Sequence, residues 1–431
     1  MMKRLQNFSR CAGRGLTLAG VLLCALPAAQ AQVAAPGAPG QTFAAVDKAP
    51  GSKLEKPSQP PAFSIAVAPL GFSPPGPIYL GQQNSLASLD FLDENRLLFT
   101  FRVPGLIRRE AEDTASSAER QIRAVVLTLP EGTVQAEALW TVHDRVRYLW
   151  MLKDGHFLFR DRDSLQLGDA TLELKPFLRF PGPLLWIGMD PQQQLLATES
   201  VEPAAKKPAG QTEQDQTDLV VRILHRDTGR VMLVSRVRAS VHLPINSDGY
   251  LESLHGDGEK WVVNLKSFSG GSTVLGRVDS VCSPAFEFVS QSEALVTACS
   301  SAGGRKLTAM TTGGLRLWDL QIPGAAIWPL LVMAPDGSRL ARETLVVDHS
   351  VNAPFSLGAE DVKQQRIQVF DAANGKLALA TPASPVLDAG GNLAISPSGR
   401  RVAVLNDGAI QIFELPAAPA LADGAGYQPV R

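Results

Sequence analysis

Phe91-Leu-Asp-Glu-Asn-Arg-Leu-Leu-Phe-Thr100 is the first of four stretches built to one pattern. The others are Met189-Asp-Pro-Gln-Gln-Gln-Leu-Leu-Ala-Thr198, Met333-Ala-Pro-Asp-Gly-Ser-Arg-Leu-Ala-Arg342 and Ile395-Ser-Pro-Ser-Gly-Arg-Arg-Val-Ala-Val404. Each sets a tight turn between two apolar runs. Proline presets the first turn dihedral and glycine accepts positive φ, so the stretches predict β-hairpins. Leu152-Lys-Asp-Gly-His-Phe-Leu-Phe159 and Phe288-Val-Ser-Gln-Ser-Glu-Ala-Leu-Val296 are looser copies.

A second hairpin type follows the first. It is written as Val125-Val-Leu-Thr-Leu-Pro-Glu-Gly-Thr-Val134, Val221-Arg-Ile-Leu-His-Arg-Asp-Thr-Gly-Arg-Val231 and Ile367-Gln-Val-Phe-Asp-Ala-Ala-Asn-Gly-Lys-Leu377. Two hairpins in alternation make a four-stranded antiparallel unit, and a repeat of roughly 50 residues is that of propeller blades. The expectation is an all-β chain, a β-propeller of seven four-stranded blades near residues 84–141, 145–181, 183–237, 248–280, 284–322, 328–381 and 391–415. A six- or eight-bladed count stays open. The last unit holds three strands, and the N-terminal run Phe63-Ser-Ile-Ala-Val-Ala-Pro69 is expected to supply its fourth and close the ring. A pair of β-sandwiches is the rival, but it does not require two alternating hairpin types.

These units resemble the WD40-like and YVTN-type propeller repeats of exported bacterial proteins. Gly314-Leu-Arg-Leu-Trp-Asp-Leu320 looks like the WD40 strand ending in Trp-Asp, although the Gly-His dipeptide before it is missing. Asp371-Ala-Ala-Asn-Gly375 is similar to a turn of quinone-dependent dehydrogenase propellers, with Leu379 where those blades dock a tryptophan. The resemblance spans most of residues 63–415 and implies a fold; propellers host both binding scaffolds and enzymes.

The N-terminus reads as a secretory signal. Lys3, Arg4, Arg10 and Arg14 precede an apolar run too short to span a bilayer, and Ala29-Gln30-Ala31 has the A-x-A form that signal peptidase cuts. Residues 1–31 are the expected signal, 32–61 an Ala/Pro/Gly-rich tether, 62–415 the propeller and 416–431 a tail. Intact-mass measurement of the exported protein is expected to find a chain starting at Gln32; a mature form that keeps residues 1–31 overturns the signal reading. No later segment is long and apolar enough to span a membrane, so a periplasmic or secreted location is expected.

Without the signal's four basic residues the chain has five more acidic than basic side chains, which argues against a nucleic-acid surface. Cys11 and Cys24 leave with the signal; Cys282 and Cys299 remain, an even count suited to an oxidising compartment. They flank a hairpin centred near Gln291, and paired residues of a hairpin share one index sum. The two thiols are therefore expected to face each other and form a disulfide.

No catalytic, metal or cofactor motif stands out. The histidines lack H-x-H or H-E-x-x-H spacing, no G-x-S-x-G occurs, and Asp161-x-Asp163 lacks the later oxygen ligands of a calcium loop. One pattern carries function. With strands lettered a to d from the channel outward, the tight turns are a–b or c–d. The long insertions, residues 103–121, 200–217 and 347–365, are all b–c and project from the opposite face. That face is expected to present Arg108, Arg109, His143, Asp144, Arg145, Arg160, Asp161, Arg162, Asp163, His242, Asp248 and His349. Its mixed charge suits a protein partner, a small polar ligand or a glycan. The expected role is a binding or assembly module. The alternative is an enzyme (hydrolase, lyase or quinone-dependent oxidoreductase) with its site at the channel mouth.

Overall fold

The fold was analysed in a computed structural model that describes residues 58–76, 80, 84–104, 120–143, 145–203, 217–301, 304–322, 326–347, 358 and 360–419. The segments expected as signal and most of the tether lie outside them, as do Arg108, Arg109, Asp144 and His349. Seven antiparallel sheets follow one another along the chain as the blades of a propeller. Blade one is β2 (Ala87–Asp93), β3 (Arg96–Val103), β4 (Arg120–Thr128) and β5 (Val134–Val142). Blade two is β6 (Leu149–Met151) to β9 (Lys175–Arg179), and blade three runs from β10 (Leu184–Met189) and β11 (Leu195–Pro203) to β12 (Thr217–His225) and β13 (Val231–Val237). Blade five is β17 (Ala285–Phe288), β18 (Glu293–Cys299), β19 (Arg305–Thr311) and β20 (Arg316–Ile322). Blade six is β21 (Ala326–Met333), β22 (Arg339–Val347), β23 (Val362–Asp371) and β24 (Leu377–Ala383). Blade seven takes β25 (Leu393–Ile395), β26 (Arg401–Asn406) and β27 (Ala409–Glu414) from the C-terminal end. Its outer strand is β1 (Phe63–Ala66), paired Phe63 to Ile412 and Ala66 to Ala409. The N-terminal strand thus closes the ring as expected.

Both hairpin types are present. In the a–b turns Gly337 and Gly399 have φ of 75° and 67°, and their N–H groups close the turn onto the Ala334 and Ser396 carbonyls at 2.8 and 2.9 Å. Blade three places Gln193 at that point with φ 60°, a conformation that side chains disfavour. Its amide offsets the cost by bridging to blade two: Oε1 accepts from Lys153 N at 2.6 Å and Nε2 donates to the Met151 carbonyl at 3.1 Å. The c–d turns differ. Gly132, Gly229 and Gly375 each donate to the carbonyl four residues back, and the strands beside them shift register by one bulge. The three insertions all connect strands b and c, so they leave the same face. Pro203 and Thr217, which bracket the second, are directly opposed.

The core is divided among the seven joints between blades. Leu97, Phe99 and Phe101 of blade one meet Ala403, Leu405 and Ile412 of blade seven, while Leu98 and Val126 meet Phe157 and Phe159 of blade two. Equivalent clusters fill the remaining joints. Each fully buried leucine or phenylalanine contributes about 1.5–3 kcal/mol, so the joints hold the ring together.

Two residues past the b-strand position that packs on the following blade, a polar side chain straps the connection into that blade. In blade one Thr100 Oγ1 lies 2.7 Å from the Tyr148 hydroxyl, and in blade two Arg160 Nη1 donates to the Leu184 carbonyl at 3.1 Å. In blade three Glu199 Oε1 accepts from Val241 N at 2.9 Å and His242 N at 2.5 Å. In blade six Glu343 accepts from Gly391 N and Asn392 N, both at 3.2 Å. All four side chains are buried.

Blade four corrects the expected boundary at 248. Its sheet holds β14 (Gly249–His255), β15 (Lys260–Ser267) and β16 (Ser272–Asp279), and these are strands b, c and d. The inner position is taken by residues 241–246, joined to β14 through the Ile245–Tyr250 bridge, a Leu251 N to Pro244 carbonyl bond of 3.0 Å and two 2.9 Å bonds between Asn246 and Gly249. Pro244 has no N–H to pair, and His242 sits at φ 42°, so the segment reads as a loop although it runs as the wall of the channel.

Cys282 and Cys299 are bonded, with α-carbons 5.6 Å apart. The register of β17 on β18 pairs Ala285 with Thr297, so the bridge joins the connection before β17 to the end of β18 rather than two directly opposed strand residues. Among the described residues no helix is long and apolar enough to cross a membrane.

Candidate functional site

A cavity of about 780 Å³ runs along the ring's axis. Six inner strands (β2, β6, β10, β17, β21 and β25), residues 241–245 and Leu251 to Ser253 of β14 line it. Three of its charged residues form the candidate site: Asp90 on β2, Glu287 on β17 and Arg147 in the connection from blade one to blade two.

Asp90, Trp150 and Glu287 pair with Leu98, Leu158 and Leu295. Those leucines are the equivalent b-strand residues of blades one, two and five, each packed on the following blade, so the three side chains start at one height. Arg147 comes down from the face that carries the insertions. Its Cζ lies 5.2 Å from the centre of the Trp150 ring, and its Nε donates to the Leu149 carbonyl at 2.9 Å. Asp90 accepts a hydrogen bond from Ser88 Oγ. The Glu287 carboxyl makes no hydrogen bond among the described residues.

Surrounding protein disfavours charge here. Burial pushes Asp90 up to about 6, against the Ser88 hydrogen bond and the Arg147 charge, and pushes Glu287 up to about 7, against Arg147 alone. Arg147 is open to the channel, yet the protein around it lowers its pKa, while the two carboxylates pull it back up. Near neutral pH Glu287 is therefore divided between an acceptor-only carboxylate and a carboxyl that can donate.

A second feature lies on the wall at blade three. The His242 ring stacks on Trp186, centroids 5.2 Å apart at 19°. The ring touches the cavity but has protein around it, and that burial lowers its pKa against the charge of Glu199.

Of the described side chains expected at the insertion face, His242 alone lines this cavity. His143 and Asp161 do come together, with Nδ1 2.9 Å from Oδ2 and the His143 N–H donating to Oδ1 at 3.0 Å. Asp163 turns to the outer strand, accepting from Arg179 Nε at 3.0 Å. Arg162, at φ 51°, contributes its carbonyl to Leu184 N at 2.9 Å, and the carbonyl of exposed Arg145 accepts from Ser85 N at 3.0 Å. Arg160 is 1% exposed, a strap between blades rather than a presented cation. Asp248 sits at the other face. Its neighbours Asn246 and Ser247 bond Gln291, whose side chain reaches Asp190, and both of those are a–b turn residues. The reason is the extra inner segment of blade four, which carries the chain across the ring before residue 248.

Asp90, Glu287 and Arg147 were absent from the expected set. The signal for the two acids was in the sequence: each stands between bulky apolar residues, Leu89-Asp90-Phe91 and Phe286-Glu287-Phe288, in the first strand of a blade. An acid amid such neighbours in a channel-lining strand is held in the cavity wall. Nothing local marks Arg147.

No family model and no curated protein matches the chain. Among solved structures it is similar to an acylaminoacyl peptidase in complex with Z-Gly-Gly-Phe-chloromethyl ketone, at 11% identity and a TM-score of 0.44, covering 80% of this chain and 53% of that one. The Pyrococcus horikoshii acylaminoacyl peptidase gives 10% identity and a TM-score of 0.43, covering 75% and 50%. A putative TolB from Agrobacterium tumefaciens gives 13% and 0.39, covering 65% and 94%. The chain spans about half the length of the peptidases. Identities of this size say nothing about activity.

Proposed function

We propose that the protein is an exported binding module that takes a small polar ligand into its channel from the face bearing the insertions. The observation that carries this reading is the set of Asp90, Arg147 and Glu287 gathered in one cavity of about 780 Å³ with an indole beside them. Ligand pockets commonly fall in this size range, with apolar walls and a few convergent polar groups of perturbed pKa. The strands that bracket the three insertions end at the face from which Arg147 enters, and loops of such length commonly carry function. Export is supported by the N-terminal signal pattern and by the cystine, which needs an oxidising compartment.

A thermal-shift panel of amino acids, dipeptides, mono- and oligosaccharides tests the reading. One class is expected to raise Tm by several degrees, and Arg147→Met is expected to abolish the response. No Arg147-dependent shift from any class overturns it. The enzymatic alternative also has one observation behind it, because carboxyls titrating near neutrality suit general acid–base work. Recovery of the bound compound unchanged after prolonged incubation supports the binding module; a converted product makes the protein an enzyme.

A further inference from the structure

We propose that the channel site takes a small zwitterion, an α-amino acid or short peptide, with its carboxylate on the Arg147 guanidinium and its ammonium at Glu287 and Asp90. This rests on the channel being the ligand site.

Arg147 is prepared for an anion. A guanidinium has five N–H donors. Arg147 spends one on the Leu149 carbonyl at 2.9 Å and lies over the Trp150 ring, two contacts that fix its plane. The Nη groups have no protein acceptor among the described residues. A planar fork held from behind, with its outer edge unfilled, matches a carboxylate in bidentate geometry.

Glu287 is prepared for a donor. It lines the cavity, its carboxyl carries no hydrogen bond among the described residues, and it has only Arg147 as a charged neighbour acting on it. Asp90 stands at the same height on blade one with a single bond from Ser88. An ammonium supplies three donors and a compensating charge to carboxylates that burial would otherwise neutralise.

The charges decide among ligand classes. A simple anion on Arg147 meets two carboxylates, and a simple cation at the carboxylates meets the guanidinium. A neutral sugar satisfies hydrogen bonds but brings no charge to the guanidinium or to either carboxylate. Only a ligand with both signs answers the whole set. Trp150, Phe286, Leu331 and Ile395, which line the same cavity from four blades, give its side chain an apolar surface.

Calorimetric titration of the full exported protein near pH 7 and low salt provides the test. The probes are Gly-Leu, N-acetyl-Gly-Leu, which lacks the ammonium, and Gly-Leu-amide, which lacks the carboxylate. Gly-Leu is expected to bind, and each blocked form to bind at least tenfold more weakly, a loss of about 1.4 kcal/mol or more. Arg147→Met is expected to remove the difference between Gly-Leu and its amide. Glu287→Gln is expected to narrow the difference between Gly-Leu and its acetylated form. Equal binding of the blocked forms, or none by Gly-Leu and the free amino acids, overturns the zwitterion. If a saccharide then stabilises the protein through Arg147, the channel reading survives alone; if no class does, both fall. The blocked-ligand arm needs no variant and stands even if a substitution disturbs folding.

Discussion

Glu343→Ala is expected to destabilise the propeller by on the order of 4 kcal/mol. The carboxylate is 0% exposed and accepts from the backbone N–H groups of Gly391 and Asn392, which lead into blade seven. Alanine leaves both donors buried without an acceptor, at about 1–3 kcal/mol each, and opens a void beside them. Glutamine keeps an acceptor oxygen, so Glu343→Gln should lose less than half as much. The pair also has a pH signature. Burial pushes Glu343 up to about 7 from the ordinary 4.5, with the two backbone bonds opposing. Between those values the folded chain keeps a proton that the unfolded chain has released, so this group makes folding less favourable as pH rises from about 4.5 to about 7. Glutamine does not titrate. The Gln variant should therefore compare worst with the parent at pH 5, and the gap should narrow or reverse by pH 8. Asp90 and Glu287, also raised, and His242, lowered, titrate in both proteins and cancel in the difference. Urea titrations at the two pH values decide it. An alanine cost below about 1 kcal/mol rules out the strap, and a pH-independent gap rules out the titration.

The straps also show what could be read before the structure. Hairpins were legible because their turns need particular residues: Gly337 and Gly399 stand where φ is positive, and the c–d glycines stand at bulges. Where another device does that work, the pattern fails. The blade-three turn uses Gln193 and stabilises it with side-chain bonds that no local rule foresees. Residues 241–246 lack both alternation and full pairing, so nothing in the sequence marks them as the inner segment of a blade, and Asp248 follows them to the a–b face. Charge at the surface was read from loops. The candidate site's charge comes instead from two acids embedded in apolar strands and from one arginine in a connection between blades. Arg160 and Asp163 lie four positions or fewer from His143's partner Asp161, yet one is buried as a strap and the other bonded to Arg179, because sheet register decides which way each turns.

Removal of the cystine is expected to cost up to about 3 kcal/mol, the loop-closure value for a short loop. Cys282 and Cys299 are 17 residues apart, and the bond shortens the unfolded chain's freedom between blades four and five. The native side is equally specific. Buried Ser280 Oγ accepts from Cys299 N at 2.9 Å and donates to the Cys282 carbonyl at 2.6 Å, while the Ser280 carbonyl accepts from Trp261 Nε1 at 2.9 Å. Val281 N adds a bond of 3.2 Å to the Cys299 carbonyl. This network holds the connection to the end of β18 without the cystine, so the Cys282→Ser, Cys299→Ser double variant should fold as the parent does. Its guanidinium midpoint should drop with the slope little changed, and the parent measured in reductant should fall to the same midpoint. The parent recovered from outside the cytoplasm and unfolded without reductant should titrate no free thiol. Two free thiols there, or a midpoint that ignores reductant, would mean that the cysteines merely pack as small apolar residues and that the case for an oxidising compartment rests on the N-terminal signal alone.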